Sequence, residues 1–580
     1  MKNVNDTKTV GYESVRQFFR KKENIINLLT IPLIIYTVYF LYQIFYFTFT
    51  NYSIPHEYRE AANIQLTQVF INGVNPYSLK SLLGEKPGTV YVYGALYSLV
   101  TAGIWKITHI NIIFLHYLVS LISMIISAVL AAVIIRDHTK TVTAPLTGFL
   151  LILFCHWRYG YVNAVPDSFA LLLLILIFYL ELHVKIKYRE IISAVITIAL
   201  FFTKQYFVII CAVMIVYLFI TDKKRCRNYT IASLITAAAA VIAVSITCPL
   251  YWTYSVYLAH GPWSQTILQY IAAYGDKVCS VCDTSVKAAE MASVMAVSAQ
   301  ATGDQTGFAY EFIQLRSLVG TFIGVFAAAA LAAVLIIKNG LKNISDFTKF
   351  LIIQMIISSA ALVYLGRNDG AWLSYYLQLL MPAMIIFAVS ETEKMALENS
   401  RYMAADIVVA VIVLLFALTI WKTDTRFTRN YLTDDEKAAW TEAYETLNEY
   451  KDGDIYYYPL LAYNAIDNGK YFYNNGHSMV IQGWFNGEWE QFKWEQVIFP
   501  YAGKVMQANI NYQDRIKKRV TDGEYSMITY IQGVDDDFGR MNLSDISQKY
   551  ELKKTITLRV GRLTYDVQFW TLKQYKAADA

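Results

Sequence analysis

The sequence predicts a polytopic α-helical membrane protein with about eleven transmembrane helices and a C-terminal α/β domain. The chain has 580 residues and is 56% hydrophobic, a fraction that soluble proteins of this length rarely reach. Apolar runs long enough to cross a bilayer recur up to residue 421, after which charged residues become frequent. The net charge of +5 is small for this length. The composition therefore indicates a lipid bilayer as partner and does not indicate a nucleic acid.

Each predicted span is a run of mostly apolar residues, of which roughly 17–25 are needed to cross the hydrocarbon core. The spans are residues 25–48, 111–135, 142–158, 168–184, 189–203, 205–221, 228–248, 316–337, 347–365, 371–390 and 403–421. A further stretch, 90–108, is shorter and contains several tyrosines and two glycines, and we expect a re-entrant or interfacial helix there. The first span is long and no small-residue cleavage site follows it, so we expect no cleavable signal peptide.

Basic residues set the predicted orientation, because loops rich in lysine and arginine stay in the cytoplasm. The segment 1–24 carries its basic cluster directly before the first span, and the later basic loops fall on the same side if 90–108 does not cross. We therefore expect a multi-pass protein of the cell (plasma) membrane with a cytoplasmic N-terminus and a transmembrane domain at 25–421. The extracytoplasmic pieces are then the first outer loop (49–110), a long outer loop (249–315) and an α/β domain (422–580).

The predicted C-terminal domain begins with a helix. Thr433 and Glu436 have the spacing of a capping box, which opens an amphipathic helix that ends near Tyr450. Runs rich in β-branched and aromatic residues predict strands, and a helix-like run lies near 501–519. The predicted strands are 455–458, 470–473, 525–531 and 555–560.

The first outer loop contains two acids next to the membrane. Residues 53–55 look like a helix start and Gly73 like its end, so we expect Glu57 in the first helical turn. Glu57 either stabilises the helix through its dipole or acts as a catalytic base. Glu60, one turn further on, competes for the same role. His56 could orient an acid or bind phosphate.

A third acid, Asp167, lies at the outer mouth of the span 168–184. It is either the helix N-cap or a second carboxylate of a site, since an ionisable residue at a membrane mouth is a site candidate. Lys204 and Gln205 lie between two spans that are joined by almost no loop. Lys204 pairs with Asp167, holds a lipid-linked phosphate, or extends its charge to the membrane surface. Further candidates at the outer face are Arg158, Arg367, Tyr375 and Gln378.

These groups share one predicted membrane face, where carboxylates and cations fit an acidic, lipid-linked substrate and a general base. Over about residues 25–390 the chain resembles the GT-C superfamily of polytopic glycosyltransferases, and within it the family 39 and family 87-like membrane proteins, which use polyprenyl-phosphate sugars. The matching pieces, in chain order, are His56-Glu57-Tyr58, Gly73-Val-Asn-Pro-Tyr77, Tyr91-Val-Tyr-Gly-Ala-Leu-Tyr97, Pro166-Asp167, Lys204-Gln205 and Tyr375-Tyr-Leu-Gln378. The superfamily usually has Asp as its first-loop acid, whereas this chain has Glu57.

The resemblance implies a hexosyl- or pentosyltransferase that moves a sugar from a polyprenyl-phosphate donor to an extracytoplasmic acceptor, which is a cell-envelope glycan, a lipid or a protein. It implies an inverting displacement in which Glu57 deprotonates the acceptor hydroxyl, with Asp167 and Glu60 as the other candidate catalytic acids. The implied substrate-binding residues include three cations that would stabilise the leaving phosphate. They are His56, Arg158, Lys204, Gln205, Arg367, Tyr375 and Gln378.

No cofactor is predicted with certainty. A divalent cation between the acids could stabilise the leaving phosphate, but no strong ligand pattern requires one. Cys279 and Cys282 stand in the long outer loop, and no second Cys/His pair at zinc spacing follows them. We therefore favour a local structural pair there over half a metal site.

Three other functions remain open. A lipid-linked sugar flippase or transporter would predict paired repeats and broken helices near the bilayer midplane, whereas the polar residues here gather at one end of the spans. A non-catalytic scaffold that binds a cell-wall polymer leaves the carboxylates without a role. A polysaccharide polymerase or ligase of another membrane fold is the closest enzymatic alternative.

Overall fold

The apolar segments of the chain fold as helices. The computed structural model describes residues 24, 26–27, 29–56, 59–83, 91–157, 163–258, 308–339, 344–365, 373–398, 432–470, 493–531, 542–560 and 563–573. The helices before residue 399 are α1 (Thr30–Asn51), α2 (Glu60–Ile71), α3 (Leu79–Leu83), α4 (Leu96–Thr108), α5 (Ile112–Asp137), α6 (Thr143–Trp157), α7 (Asp167–Leu182), α8 (Arg189–Phe201), α9 (Ile209–Thr221), α10 (Lys223–Thr247), α11 (Phe308–Thr321), α12 (Ile323–Asn339), α13 (Asp346–Leu365), α14 (Leu373–Leu379) and α15 (Met381–Glu398). A 3₁₀ turn (Gln205–Val208) precedes α9, and a π-helical turn (Thr253–Tyr257) follows α10.

Several of these helices are membrane spans by length and composition. Within the described ranges four qualify, namely α1, α5, α10 and residues Asp346–Val363 of α13, and a fifth is formed if α11 and α12, which meet at 91°, count as one span. Helices α1 and α10 expose rows of large aliphatic side chains, such as Ile35 and Ile246. Soluble proteins rarely expose such continuous apolar faces, so these faces lie against lipid.

The predicted spans from 25–48 to 371–390 each coincide with a helix or with two consecutive helices. Helices α6, α7 and α8 have only 15, 16 and 13 residues. At 1.5 Å per residue they are shorter than a hydrocarbon core of about 30 Å. The span 403–421 lies outside the described residues, as do the pair Cys279 and Cys282 and nearly all of the strand at 470–473. The number of eleven spans therefore stays a prediction.

The stretch 90–108 contains one short helix. Its helix, α4, has 13 residues and ends at His109, which has a positive φ of 51°. The helix is about 20 Å long and packs against α2. The chain then turns into α5, whose first backbone N–H groups are capped by the side chain of Asn111. Helix α8, one of the predicted spans, has the same number of residues, so the re-entrant or interfacial character of 90–108 stays a prediction.

The first-loop helix begins later than the sequence predicts. Helix α2 begins at Glu60, and residues 52–56 form turns instead of a helical start at 53–55. The reason lies in the Glu60 side chain, whose Oε2 accepts the backbone N–H of His56 at 2.6 Å and closes the preceding turn. The described helix thus begins three positions after Glu57, which itself lies outside the described residues. The end of the helix is as predicted, because Gly73 follows it with a φ of +70°.

The C-terminal region contains a four-stranded sheet of order β1-β2-β4-β3, in which β1 and β2 are parallel and the other pairs antiparallel. Its strands are β1 (Ile455–Tyr456), β2 (Met527–Ile531), β3 (Tyr550–Val560) and β4 (Leu563–Leu572), and its helices are α16 (Asp434–Asn448), α17 (Ala462–Asp467), α18 (Lys493–Ile498), α19 (Ala502–Asp522) and α20 (Leu543–Lys549). A 3₁₀ turn, Pro459–Leu461, precedes α17. The capping box of Thr433 and Glu436 that opens α16 is present.

Strand β4 is absent from the sequence prediction, although it lies inside the sheet between β2 and β3. Its apolar and polar residues alternate from Leu563 to Phe569, but one of the polar residues is Asp566, a type that is unfavourable in strands. On the exposed face of the sheet the carboxylate of Asp566 accepts a hydrogen bond from Thr557 Oγ1 at 2.6 Å. This cross-strand bond explains why an aspartate is tolerated in the middle of the strand.

The C-terminal region packs on the side of the helical bundle where α1 ends, which we call the first-loop side. Tyr444 of α16 donates its hydroxyl to the carbonyl of Ser53 at 3.0 Å. Asn111, which caps α5, also donates to Asp467 of α17 at 3.1 Å. The positive-charge pattern predicts that these pieces share one face, and their contacts agree with it.

Candidate active site

A buried ion pair joins the start of α7 to the turn before α9. Lys204 Nζ lies 2.7 Å from Asp167 Oδ1, and each side chain is only 5% exposed. The N-cap of α7 is Pro166 and Asp167 is the first helical residue. The carboxylate of Asp167 is thus directed to Lys204, so the structure shows the pairing that was one of the three roles left open for Lys204.

Gln378, in the short helix α14, completes the ion pair. Its Nε2 donates to the same Oδ1 atom of Asp167, and its Oε1 accepts the hydroxyl of Tyr206. Gln378 is fully buried. Because one amide both donates to the acid and accepts from a tyrosine, it fixes the orientation of the carboxylate relative to the 3₁₀ turn.

Aromatic rings surround the ammonium group of Lys204. Its Nζ lies 5.2 Å from the ring centre of Tyr93, 5.3 Å from that of Tyr206 and 5.8 Å from that of Tyr375. A cation is attracted to the face of such rings at about 6 Å or less. A second cation contacts one of the same rings, because Arg59 Nη1 donates to Tyr93 Oη at 3.0 Å. Lys204 and Arg59 are therefore brought to the same tyrosine.

Close backbone packing holds Tyr93 in place. The carbonyl of Phe202 accepts the backbone N–H of Leu96 at 3.1 Å, and a Cβ on Gly94 would lie 1.9 Å from that carbonyl oxygen. Only glycine therefore fits at position 94. The Gln205 amide donates to the carbonyls of Val92 (3.0 Å) and Ser255 (2.6 Å). The side chain of Gln205 thus clamps the backbone that presents Tyr93.

Glu60 is fully buried, and its carboxylate accepts hydrogen bonds from His56, Tyr117 and Ala164 among the described residues. Its Oε2 accepts from His56 N, and its Oε1 accepts from Tyr117 Oη at 3.1 Å and from Ala164 N at 3.0 Å. The acid thereby joins the first loop to α5 and to the segment that leads into Asp167. The C-terminal region reaches the same group, because Tyr463 Oη lies 3.5 Å from Tyr117 Oη.

His56 is neutral at pH 7. Its ring stacks on Phe47, with ring centres 4.9 Å apart, and lies 5.8 Å from the ring centre of Tyr117. Burial between these rings lowers the pKa of His56 to about 4, because the charged form loses its hydration. His56 is therefore not a cation for a phosphate under physiological conditions.

The sequence-predicted residues divide into two groups. The structure brings together Asp167, Lys204, Tyr375 and Gln378, with Gln205, Glu60 and His56 in the layer that supports them. Glu57, Arg158 and Arg367 lie outside the described residues. Arg59, Tyr93, Tyr117 and Tyr206 contribute to the site without having been predicted. Of these, Tyr93 lies in the aromatic run 91–97 and Arg59 lies beside the first-loop acids. Their position in these motifs is the sequence feature that could have predicted their contribution to the site.

The described part of the site does not fit a divalent cation between Asp167 and Glu60. The carboxylate of Asp167 is already compensated by an ammonium, and the oxygens of Glu60 accept N–H and O–H donors. In the same residues no group of three or more His, Cys, Asp or Glu side chains is arranged to hold a metal ion.

No family model matches the sequence, and no curated protein is similar to it in sequence. Solved structures with a similar overall fold do exist. ArnT from Cupriavidus metallidurans bound to undecaprenyl phosphate is 12% identical, with a TM-score of 0.48 over 92% of this chain and 98% of that one. The Archaeoglobus fulgidus oligosaccharyltransferase tethered to an acceptor peptide is 10% identical, with a TM-score of 0.45 over 88% and 70%. The archaeal oligosaccharyltransferase AglB from the same organism, in complex with an inhibitory peptide and a dolichol-phosphate, is 11% identical, with a TM-score of 0.43 over 88% and 70%.

Proposed function

We propose that the chain is a membrane glycosyltransferase that moves a sugar from a polyprenyl-phosphate-linked donor to an extracytoplasmic acceptor. The observation that carries this proposal is the buried Asp167–Lys204 pair, walled by three tyrosine rings at the first-loop side and joined through Tyr93 to Arg59. Carboxylates beside cations at the mouth of a membrane bundle suit an anionic, lipid-linked substrate.

The cations of this cluster would stabilise the phosphate leaving group. An ammonium has three N–H donors, and Asp167 accepts one of those of Lys204, which fixes the direction of the others. Arg59 supplies a planar guanidinium at the hydroxyl of Tyr93. Such fixed donors stabilise charge that develops as the bond from the sugar to the phosphate breaks. Arg158 and Arg367 remain proposed as further cations of the same face.

Glu57 is proposed as the general base and Glu60 as the residue that positions it. The oxygens of Glu60 hold the backbone N–H groups of His56 and Ala164, which lie in the turn before Glu57 and in the segment before Asp167. A fully buried acid with three donors is well suited to fix a loop and poorly placed to exchange a proton with a substrate. Supporting hydrogen bonds of this kind keep catalytic groups in productive geometry.

The reaction is then a single displacement. The Glu57 carboxylate takes the proton of the acceptor hydroxyl as its oxygen bonds to the anomeric carbon. The bond between that carbon and the phosphate oxygen breaks, and the lipid phosphate leaves with its electron pair. Attack from the face opposite to the phosphate inverts the configuration of the sugar. The acceptor class is a cell-envelope glycan, a lipid or a protein, and the sugar is a hexose or a pentose.

The proposed orientation places the N-terminus in the cytoplasm and the region 422–580 outside a plasma membrane. The far end of α7 supports it, because Glu181 there is buried against the basic side chain of Arg225, which also bonds to Glu190. Basic residues concentrate at cytoplasmic ends of spans. Asp167, at the other end of the same helix, would then face outward.

The proposal is tested by reconstituting the full chain with a radiolabelled polyprenyl-phosphate sugar and a mixture of envelope acceptors. We expect Glu57→Gln and Asp167→Asn to lose transfer, and Glu60→Gln to transfer slowly. The matched control is Asp435→Asn, an exposed acid on α16, which should keep full activity. If all three site variants transfer as fast as the wild type, the proposed site is wrong.

A further inference from the structure

The short helix α18 in the C-terminal region has inverted polarity. Its acid, Glu495, is fully buried, whereas Val497 is 80% exposed, Ile498 54% and Trp494 42%. A helix that faces water buries its apolar side chains and exposes its charges. The outward face of α18 is therefore built for an apolar environment, while its inward face holds a carboxylate.

Two contacts hold α18 beside the lipid-facing helix α10. Tyr257, in the π-helical turn just after α10, donates its hydroxyl to Glu495 Oε2 at 3.3 Å. The ring of Tyr257 also stacks on Phe499, with ring centres 4.8 Å apart. The last turns of α10 expose Ile242 and Ile246, the latter to 76%. Helix α18 is thus attached to the turn that follows a membrane span.

Lysines flank the apolar residues of α18 in the chain. Lys493 begins α18 and Lys504 follows it in the first turn of α19, and both are exposed. Tryptophan with flanking lysines is typical of segments at the membrane–water boundary, where the indole occupies the headgroup level and the ammonium groups attract anionic lipid.

From these observations we infer that α18 docks into the leaflet on the first-loop side, with Trp494, Val497 and Ile498 at the boundary of the acyl chains. Its partner is the phospholipid surface. The C-terminal region is then attached to the bilayer directly as well as through its contacts with α1 and α5. This inference does not depend on the proposed enzymatic activity.

The test uses the full chain in nanodiscs that contain a phospholipid with a photoactivatable diazirine in its acyl chain. Trypsin releases the peptide 494–504, which carries the apolar face of α18. It also releases the peptide 563–573, which has the same length, contains a tryptophan and carries Leu563, 61% exposed on β4. We expect several-fold more lipid adducts on the first peptide than on the second. Equal labelling of the two peptides would overturn the inference.

A water-soluble diazirine distinguishes lipid from protein as the partner of α18. The inference predicts that peptide 494–504 is protected from this probe in nanodiscs and labelled by the lipid probe. Protection from both probes would mean that a second copy or another protein covers α18, which also overturns the inference. Val497→Glu should reduce the lipid adducts on its peptide, whereas Leu563→Glu should leave the adducts on 494–504 unchanged.

Discussion

Removing the cation of the Asp167–Lys204 pair should destabilise the fold strongly. Both side chains are 5% exposed, so the small stabilisation that an exposed ion pair contributes does not apply here. Lys204→Met leaves a buried carboxylate without its cation, a change that costs about 3–5 kcal/mol in the free energy of unfolding. Asp167→Asn leaves a buried ammonium and should cost a similar amount. The double variant buries no charge at this point and should recover most of the loss.

The coupling energy of this double-mutant cycle is measured by equilibrium unfolding in mixed micelles. The chain offers a matched control in Lys349 and Asp346, an ion pair of 2.9 Å with side chains 35% and 64% exposed. For that pair we expect a coupling below about 1 kcal/mol. A coupling energy between Lys204 and Asp167 as small as that of the control pair would contradict the conclusion that burial makes their electrostatic interaction strong.

Three further results are expected. Tyr117→Phe removes a hydrogen-bond donor from the buried Glu60, so the free energy of unfolding should fall by about 1–3 kcal/mol and sugar transfer should become slower. Melting curves will measure the first effect and initial rates the second. Gly94→Ala forces a Cβ against backbone and should sharply reduce the yield of folded protein, whereas Gly103→Ala, with no atom within 4 Å, should leave it unchanged. The wild type should lose stability as the pH falls from 6.5 to about 4, because the unfolded chain protonates His56 before the folded one does. In melting curves over this range, His56→Gln should show a shallower dependence.

Local sequence patterns predicted the elements that depend on local physics. Apolar runs gave the helices, Gly73 gave the end of α2, and the capping box of Thr433 gave the start of α16. The predicted orientation also placed Asp167 and Lys204 at one end of neighbouring spans, and their pairing was one of three roles that the sequence left open for Lys204. These features depend on neighbours in the chain or on a shared depth in the membrane.

The features that could not be predicted depend on contacts between distant parts of the chain. Gln378 is 211 residues from Asp167 in the chain, and no local sequence pattern predicts that the two side chains bond to each other. Helix α2 begins at Glu60 and not at residues 53–55, because the side chain of Glu60 bonds back to His56 and across to another helix. The bonds from the amide nitrogen of Gln205 to two backbone carbonyls were likewise not predicted. Each of these outcomes required the three-dimensional packing.

Sugar transfer at the first-loop side can be tested by following one donor in proteoliposomes. A polyprenyl-phosphate sugar labelled in both the sugar and the lipid is supplied with an acceptor on the face that carries the C-terminal region. We expect the labelled sugar to appear on the acceptor together with an equal amount of free polyprenyl phosphate. We expect Glu57→Gln to yield neither product. An intact donor that crosses to the opposite leaflet, with no free polyprenyl phosphate, would contradict sugar transfer at this side.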